Sequence, residues 1–263
     1  MPELPEVETV VRSLRAKLTG RRIVRAHFSS AFVVKQDFTE LSQVLAGQTV
    51  RVLRRHGKFI VAELDRGVLS IHLGMTGKLL FGGVPGPHTR AWFELDEDVL
   101  VYDDIRHFGR IEWSAEVPLR LSRLGPDALA LPLDRFLDLL KQHKTRIKPL
   151  LLNQAILRGM GNIYTDEALF AAGVHPRTMA ARMSRARAAR LHGAMVDVLT
   201  RAIEAKGSSI SDYVDAEGRR GSFQLQHQVY GREGEACLVC GTAIRRIVVA
   251  QRGTHFCPKC QRT

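Results

Sequence analysis

Apolar and polar positions recur along this chain with two different periods, and the change of period divides it. From Glu3 to Leu18, the residues Val7, Val10, Val11, Leu14 and Leu18 return at helical spacing, and Gly20 follows. This predicts an amphipathic first helix with Gly20 as its stop. From Ile23 to about Trp113 the pattern shortens to that of strands. They are expected over Ile23–Phe28, Thr49–Leu53, Phe59–Leu64, Val68–Leu73, Ala91–Leu95, Val99–Tyr102 and Gly109–Trp113. Turn signals such as Asp65-Arg66-Gly67 and Gly82-Gly83-Val84-Pro85-Gly86-Pro87 separate them. Short strands in succession indicate a β-sandwich or barrel-like N-terminal domain.

After Leu124-Gly125-Pro126 the period lengthens again. Helices are expected over Asp134–His143, from Ile147 to Leu152, over Ile163–Ala172 and over Ser184–Lys206, the last with Ser184 as N-cap and Gly207 as stop. The domain boundary therefore falls near Pro118–Gly125. Residues Gly207–Gly231 are weakly periodic and read as a long loop with one helical turn at Ile210–Val214. Long loops in compact domains often carry function.

Composition adds a partner to this outline. The chain has 263 residues, 45% of them hydrophobic, and Lys plus Arg exceed Asp plus Glu by 12. A globular protein with that excess suits a polyanion, with nucleic acid foremost. No apolar run approaches the roughly 20 residues that span a bilayer. The N-terminus lacks a signal-peptide core, so a cytoplasmic protein is expected.

All four cysteines lie near the end, as Cys237-Leu-Val-Cys240 and Cys257-Pro-Lys-Cys260 with 16 residues between the pairs. Two such turns supply four thiolates to one Zn²⁺ in a closed, structural site. The metal would hold a β-hairpin too small to fold alone, with its turn at Gln251-Arg252-Gly253. In a basic protein, Arg252 at that tip is placed for a phosphate. A second motif, Gly159-Met160-Gly161-Asn162, precedes a helix, where Asn162 as a cap and exposed N–H groups would favour an anion. Lys58 follows the basic run Arg54-Arg55-His56. Met75 lies in a turn, and Arg106 and Phe108 stand two apart. Exposed Met and Phe can wedge into a base stack.

The chain opens Met1-Pro2-Glu3. Removal of Met1 would leave Pro2 with a secondary amine, a nucleophile able to form an iminium on a sugar carbon. Glu3 beside it is placed to carry protons.

Together these motifs resemble the bacterial formamidopyrimidine-DNA glycosylases, also called 8-oxoguanine DNA glycosylases, over nearly the whole chain from Met1-Pro-Glu-Leu-Pro-Glu-Val-Glu-Thr9 to the terminal finger. The resemblance implies an α+β multidomain protein. An N-terminal β-sandwich with a leading helix would occupy residues 1–118, and a helix–two-turn–helix domain 119–228, with a lesion-covering loop at 207–228. A Cys₄ zinc-finger hairpin would occupy 229–263, and the DNA would lie in the cleft between domains. It implies that a damaged base is flipped from double-stranded DNA, that Pro2 attacks C1′, and that β- and δ-elimination cut the strand. Glu3 would move the proton of base removal. Lys58 would serve proton transfer and phosphate contact around β-elimination, and Arg252 phosphate binding and δ-elimination. Asn162, His88, His143, Lys144 and Lys148 match DNA-contacting positions. Met75, Arg106 and Phe108 match the residues that fill the gap left by the flipped nucleotide, with Arg106 facing the orphaned base. One structural Zn²⁺, no membrane and a monomer are expected.

Two departures stand out. The family's common Asp-Pro-Arg-Arg-Phe-Gly is here Asp104-Ile105-Arg106-His107-Phe108-Gly109, and His143 replaces a common Lys. The sister family, endonuclease VIII, shares Pro2, Glu3, the lysine and the finger, but its start usually has Gly where this chain has Leu4. A catalytically silent DNA-binding zinc protein is the other class of alternative. The joint presence of Pro2, Glu3, Lys58 and Arg252 weighs against it.

Overall fold

The computed structural model describes residues 1–210 and 212–262. They divide into two compact units, Met1–Ser122 with Ala205–Ser222, and Arg123–Glu204 with the rest of the chain from Phe223.

The first unit begins with helix α1 (Leu4–Leu18), whose Val7, Val10, Val11, Leu14 and Leu18 are buried as the spacing requires. Two four-stranded antiparallel sheets follow. One has the order β1-β6-β7-β5, from Ile23–Phe28 (β1), Lys78–Phe81 (β5), Thr89–Leu95 (β6) and Val99–Asp103 (β7). The other has the order β2-β3-β4-β8, from Val50–His56 (β2), Phe59–Leu64 (β3), Val68–His72 (β4) and Arg110–Ser114 (β8). Strand β6 alternates strictly between buried and half-buried positions, the period-two pattern of a sheet covered on one face. Both sheets, α1 and a further helix α2 (Phe38–Leu45) share one apolar core, which also takes in Tyr213 and Ala216. Helix α2 and strand β5 are additions to the expected set. Asp37 caps α2, accepting the Thr39 and Glu40 N–H groups at 2.9 Å through Oδ1. A one-turn helix α3 (Leu119–Ser122) closes the continuous part of this unit.

The second unit holds α4 (Leu133–Gln142), α5 (Ile147–Leu152), α6 (Asn162–Ala171) and α7 (Arg185–Glu204), then the hairpin β9 (Arg245–Val249) and β10 (Arg252–Phe256). Helix α7 turns Leu191, Met195, Val198, Leu199, Ala202 and Ile203 inward. Ser184 precedes it as expected, its Oγ accepting the Arg187 N–H at 3.3 Å.

Two sequence expectations need correction. The family resemblance implies a helical domain that runs through segment 207–228, yet residues 205–222 pack with the first unit. Tyr213 and Ala216 are buried in the sandwich core, and Phe81 of β5 donates its N–H to the Ala216 carbonyl at 3.0 Å. The helical turn expected over Ile210–Val214 includes Ser211, which lies outside the described residues, and Ile210 and Asp212 beside it are in bends. The finger's turn also sits one position early. Ala250 and Gln251 form it, with φ of 51° and 59°, and Arg252 is already paired with Val249 in the ladder.

Candidate active site and metal centre

Pro2 is buried at the start of α1, and Glu3 is its N-cap with 2% exposure. The Glu3 N–H donates to Glu6 Oε2 at 2.8 Å, the backbone half of a capping box. Glu6 is itself buried, and its other oxygen, Oε1, accepts the Ser208 N–H at 2.7 Å. The chain start and the returning 205–222 segment are thus fastened to one carboxylate. In the translated chain the Pro2 nitrogen is an amide to Met1, which is 44% exposed. Cleavage of that bond would release the amine without disturbing the helix behind it.

Lys58 is buried and follows Gly57 in the β2–β3 turn. An ion-pair path fastens this turn to α1. Glu8 Oε2 accepts Arg55 Nε at 2.9 Å, and Arg55 Nη1 reaches the Gly57 carbonyl at 3.1 Å. Beside Lys58 lies His72, whose ring centroid is 4.8 Å from that of Phe59. Burial, then the charges of Lys58, Arg120 and Arg110, push its imidazole down to about 4. It is therefore neutral at physiological pH, and its Nδ1 accepts the Gly74 N–H at 3.1 Å.

Met75 meets Arg106 and Phe108 although it comes from a different loop. The Arg106 guanidinium lies 4.5 Å from the Phe108 ring centroid, and its Nη1 reaches Met75 Sδ at 3.5 Å. Asp104, fully buried, organises them. Its Oδ1 accepts the Thr76 hydroxyl at 2.6 Å and the Arg106 N–H at 3.2 Å, and its Oδ2 accepts the Gly109 N–H at 2.8 Å. Gly74 must be glycine. Its φ is 62°, and a Cβ there would stand 2.4 Å from the Phe108 carbonyl carbon. His88 is exposed, and its carbonyl accepts the Asp104 N–H at 2.9 Å, so it borders the same loop.

In the second unit, two expectations change. Asn162 is not the cap of α6. Gly161 is, and Asn162 stands one position inside the helix with its Nδ2 donating to the Gly253 carbonyl at 2.9 Å. Lys148 is not open to a phosphate. It is wholly buried, and its Nζ donates to Asp166 Oδ1 at 2.6 Å and to the Gly253 carbonyl at 3.4 Å. Asp166 Oδ2 in turn accepts the His255 N–H at 2.8 Å. Lys148, Asn162 and Asp166 thus converge on the residues just after Arg252. They seat the finger's tip, while Arg252 itself is exposed. Glu167, buried, accepts the N–H groups of Gln228, Val229 and Tyr230, pinning the chain that enters the finger. Burial nonetheless raises its carboxyl above the usual range. His143 ends α4, with Nδ1 against the Leu139 carbonyl at 2.8 Å, and Lys144 beside it is exposed.

The four Sγ atoms of Cys237, Cys240, Cys257 and Cys260 lie within 4.8 Å of one another, with Cys237–Cys260 at 3.9 Å and Cys240–Cys257 at 3.5 Å. Tetrahedral Zn–S bonds of about 2.3 Å require S···S separations of about 3.8 Å, so the donor set fits zinc. Hydrogen bonds from Thr242 push the Cys240 thiol down to about 6, which makes it a ready thiolate. Burial pushes the Cys257 and Cys260 thiols up, a cost that a bound cation reverses.

The sequence offers few signs of the supporting residues. Glu6 follows Glu3 at capping-box spacing, the one local signal among them. Nothing local marks Arg55, Asp104, Asp166 or Glu167, each of which has a partner distant in the chain: Glu8, Thr76, Lys148 and the 228–230 backbone.

A sandwich with an anchored N-terminal prolyl helix is thus followed by a helical unit that seats a hairpin of four clustered thiols. Comparison with known proteins gives the family. Residues 1–111 match the formamidopyrimidine-DNA glycosylase N-terminal domain, 124–214 the H2TH domain of the same enzyme, and 234–263 the zinc finger found in FPG and IleRS. The chain belongs to the formamidopyrimidine-DNA glycosylase family. It is 56% identical to the formamidopyrimidine-DNA glycosylase of Solibacter usitatus, with both chains covered in full. It resembles the crystal structure of the MutM (Fpg) protein of Thermus thermophilus with a TM-score of 0.90 at 39% identity, covering 99% of this chain and 98% of that one. It resembles wild-type Lactococcus lactis Fpg, in complex with DNA containing N7-benzyl-Fapy-dG, with a TM-score of 0.91 at 34% identity and full coverage of both chains. Among the described residues, no helix is long and apolar enough to cross a membrane.

Proposed function

We propose that this chain removes oxidised purines, 8-oxoguanine and formamidopyrimidines, from double-stranded DNA and then cuts the strand at the emptied sugar. The observation that carries the reading is the anchored start of α1. Pro2 stands buried ahead of a helix whose first turn is fixed by the Glu3–Glu6 contact at 2.8 Å. Removal of Met1 leaves a secondary amine, and an unperturbed α-amino group, with a pKa near 7.7–8, is roughly a tenth neutral at pH 7. Its lone pair attacks C1′ of a flipped nucleotide, and the base departs as it takes up a proton. Glu3 carries protons in this step. The sugar ring then opens: the C1′–O4′ bond breaks, O4′ takes up a proton, and the prolyl nitrogen, having lost its own proton on attack, forms the iminium at C1′. Loss of a C2′ proton then expels the 3′ phosphate, and a second elimination expels the 5′ phosphate. Lys58 serves the first elimination and Arg252 the second.

Met75, Arg106 and Phe108 fill the space the nucleotide leaves, and Arg106 faces the orphaned base. His88, His143, Lys144 and Asn162 are assigned to the DNA backbone; the buried pair with Asp166 removes Lys148 from that set. Zn²⁺ on the four cysteines holds the hairpin that presents Arg252, and no step passes through it. The enzyme works as a monomer on nucleoid DNA in the bacterial cytoplasm.

Borohydride reduction tests the scheme. It should trap a covalent complex with duplex DNA carrying 8-oxoguanine opposite cytosine, and Pro2→Gly should lose most of it. A processed N-terminus that binds this DNA without trapping would leave only a damage-binding protein.

A further inference from the structure

We propose that Phe32 is a further DNA-contacting residue, packing against the strand opposite the lesion while Lys35 neutralises a neighbouring phosphate. The inference rests on the reading of Met75, Arg106 and Phe108 as the gap-filling group. Phe32 is 72% exposed, yet Val33 and Val34 beside it are wholly buried. Its turn is rigidly built. The N–H groups of Val33 and Val34 both donate to the Ser30 carbonyl, at 3.1 and 2.9 Å, and the Val33 carbonyl accepts the Ile111 N–H at 3.0 Å. An isolated exposed apolar residue needs no explanation. Phe32 is not isolated. Its ring meets the His107 ring edge-on at 5.9 Å, and His107 lies between Arg106 and Phe108.

His107 is also where the backbone is unusual. Its φ is 55°, a left-handed conformation that costs a residue with a Cβ roughly 1–2 kcal/mol. The Ser30 Oγ–His107 Nδ1 hydrogen bond of 2.8 Å holds it there. The same serine thus anchors the Phe32 turn through its carbonyl and the His107 ring through its hydroxyl. Phe32, Met75, Ile105 and Phe108 are all exposed, and the His107 ring ties Phe32 to the loop that carries the last two. Two cations border them. Lys35 Nζ stands 5.5 Å from the Phe32 ring centroid, and Arg106 stacks on Phe108. Neither has a carboxylate partner among the described residues. Aromatic rings interleaved with unpaired cations suit a nucleic acid strand, where rings pack on bases and sugars and cations meet phosphates. Arg106 faces the orphaned base, so a ring held one residue away, on His107, meets that same strand.

The test uses a duplex with a tetrahydrofuran abasic site opposite cytosine, read by fluorescence anisotropy, beside single-turnover excision of 8-oxoguanine at saturating enzyme. Phe32→Ala should weaken binding about tenfold, the scale of one aromatic–base contact. Its saturated excision rate should stay unchanged, and Phe32→Trp should restore affinity. Phe108→Ala is the control for the gap-filling group. If Phe108→Ala weakens binding and Phe32→Ala leaves it within twofold, the inference fails and the group stands. If neither matters, the gap-filling reading fails first. A slower saturated rate with unchanged affinity for Phe32→Ala would overturn the inference too, since it would mark a purely internal role.

Discussion

The carboxylate of Glu6 accepts the backbone N–H of Ser208 at 2.7 Å across 202 positions of sequence. Its other oxygen holds Glu3. One buried charge therefore sets both the nucleophile's helix and the segment that returns to it.

Glu6→Gln tests that linkage. It replaces one acceptor oxygen by an NH₂ donor and leaves a buried N–H facing another donor. Hydrogen bonds to a buried charge contribute roughly 1.5–3 kcal/mol, so the urea midpoint should fall accordingly. Amide exchange at Ser208 should quicken, and the borohydride-trapped yield should drop. Undiminished protection of Ser208 would show that the segment is held by other contacts.

Gly207 gives an independent test of the same junction. Its φ is 81°, and a Cβ there would come within 2.7 Å of Glu6 Oε1. Gly207→Ala should destabilise by about 1–3 kcal/mol, through the positive φ and the displaced carboxylate together. Combined with Glu6→Gln, the losses should be less than additive, as a double-mutant cycle would record.

Much of this is legible in the sequence because the signals are local. The recurring valines of α1, the strand alternation and the spacing of the cysteines each follow from one element's own geometry, and each element stands where its pattern puts it. What escapes is long-range. The family resemblance makes Lys148 a phosphate contact, and only the fold brings Asp166 against it. Asn162 follows a glycine pair that suggests a cap, but Gly161 takes that position and frees the amide for Gly253. The 205–222 segment is weakly periodic, and only Tyr213 and Ala216 buried in a distant core reveal its side. Helix α2 is two turns long, too short for its apolar period to stand out from the strands around it.

The Lys148–Asp166 pair is wholly buried on both sides. Removing one partner of such a pair typically costs about 3–5 kcal/mol, because the other is left charged and unpaired. Lys148→Ala should thus lower stability by several kcal/mol. It should leave the dependence of log affinity on log salt unchanged, whereas loss of a phosphate contact would reduce that slope by about 0.9. Lys144→Ala, an exposed neighbour, should show the reverse.

His72 makes stability depend on pH. Its folded value of about 4 lies below the ordinary 6.5, so between those limits the unfolded chain binds the extra proton. Stability therefore falls as pH drops from 6.5 towards 4, by up to about 1.4 kcal/mol per pH unit for this group. His227, pushed to about 4 by burial, acts in the same window. His72→Asn keeps an acceptor near the Gly74 N–H and cannot titrate. Urea titrations from pH 4 to 7 should show a shallower fall in stability for His72→Asn than for the parent. An unchanged slope would mean that the His72 ring is solvated in the folded protein.

The finger's turn carries strain that its sequence does not relieve. Ala250 and Gln251 both have positive φ, the geometry of a type I′ turn, which favours Asn-Gly. Left-handed backbone at each costs roughly 1–2 kcal/mol. The turn persists because the ladder Arg252–Val249 to Phe256–Arg245 and the thiolate site close the hairpin on either side. Replacing the pair by Asn-Gly, through Ala250→Asn with Gln251→Gly, should therefore make zinc release by a chelator slower and raise the unfolding midpoint. Cys260→Ser should do the opposite, since it removes a ligand and lets the tip open. Zinc-release kinetics followed with a colorimetric chelator would separate the three proteins. If the double variant releases metal no more slowly than the parent, the strained turn does not limit the opening of the hairpin.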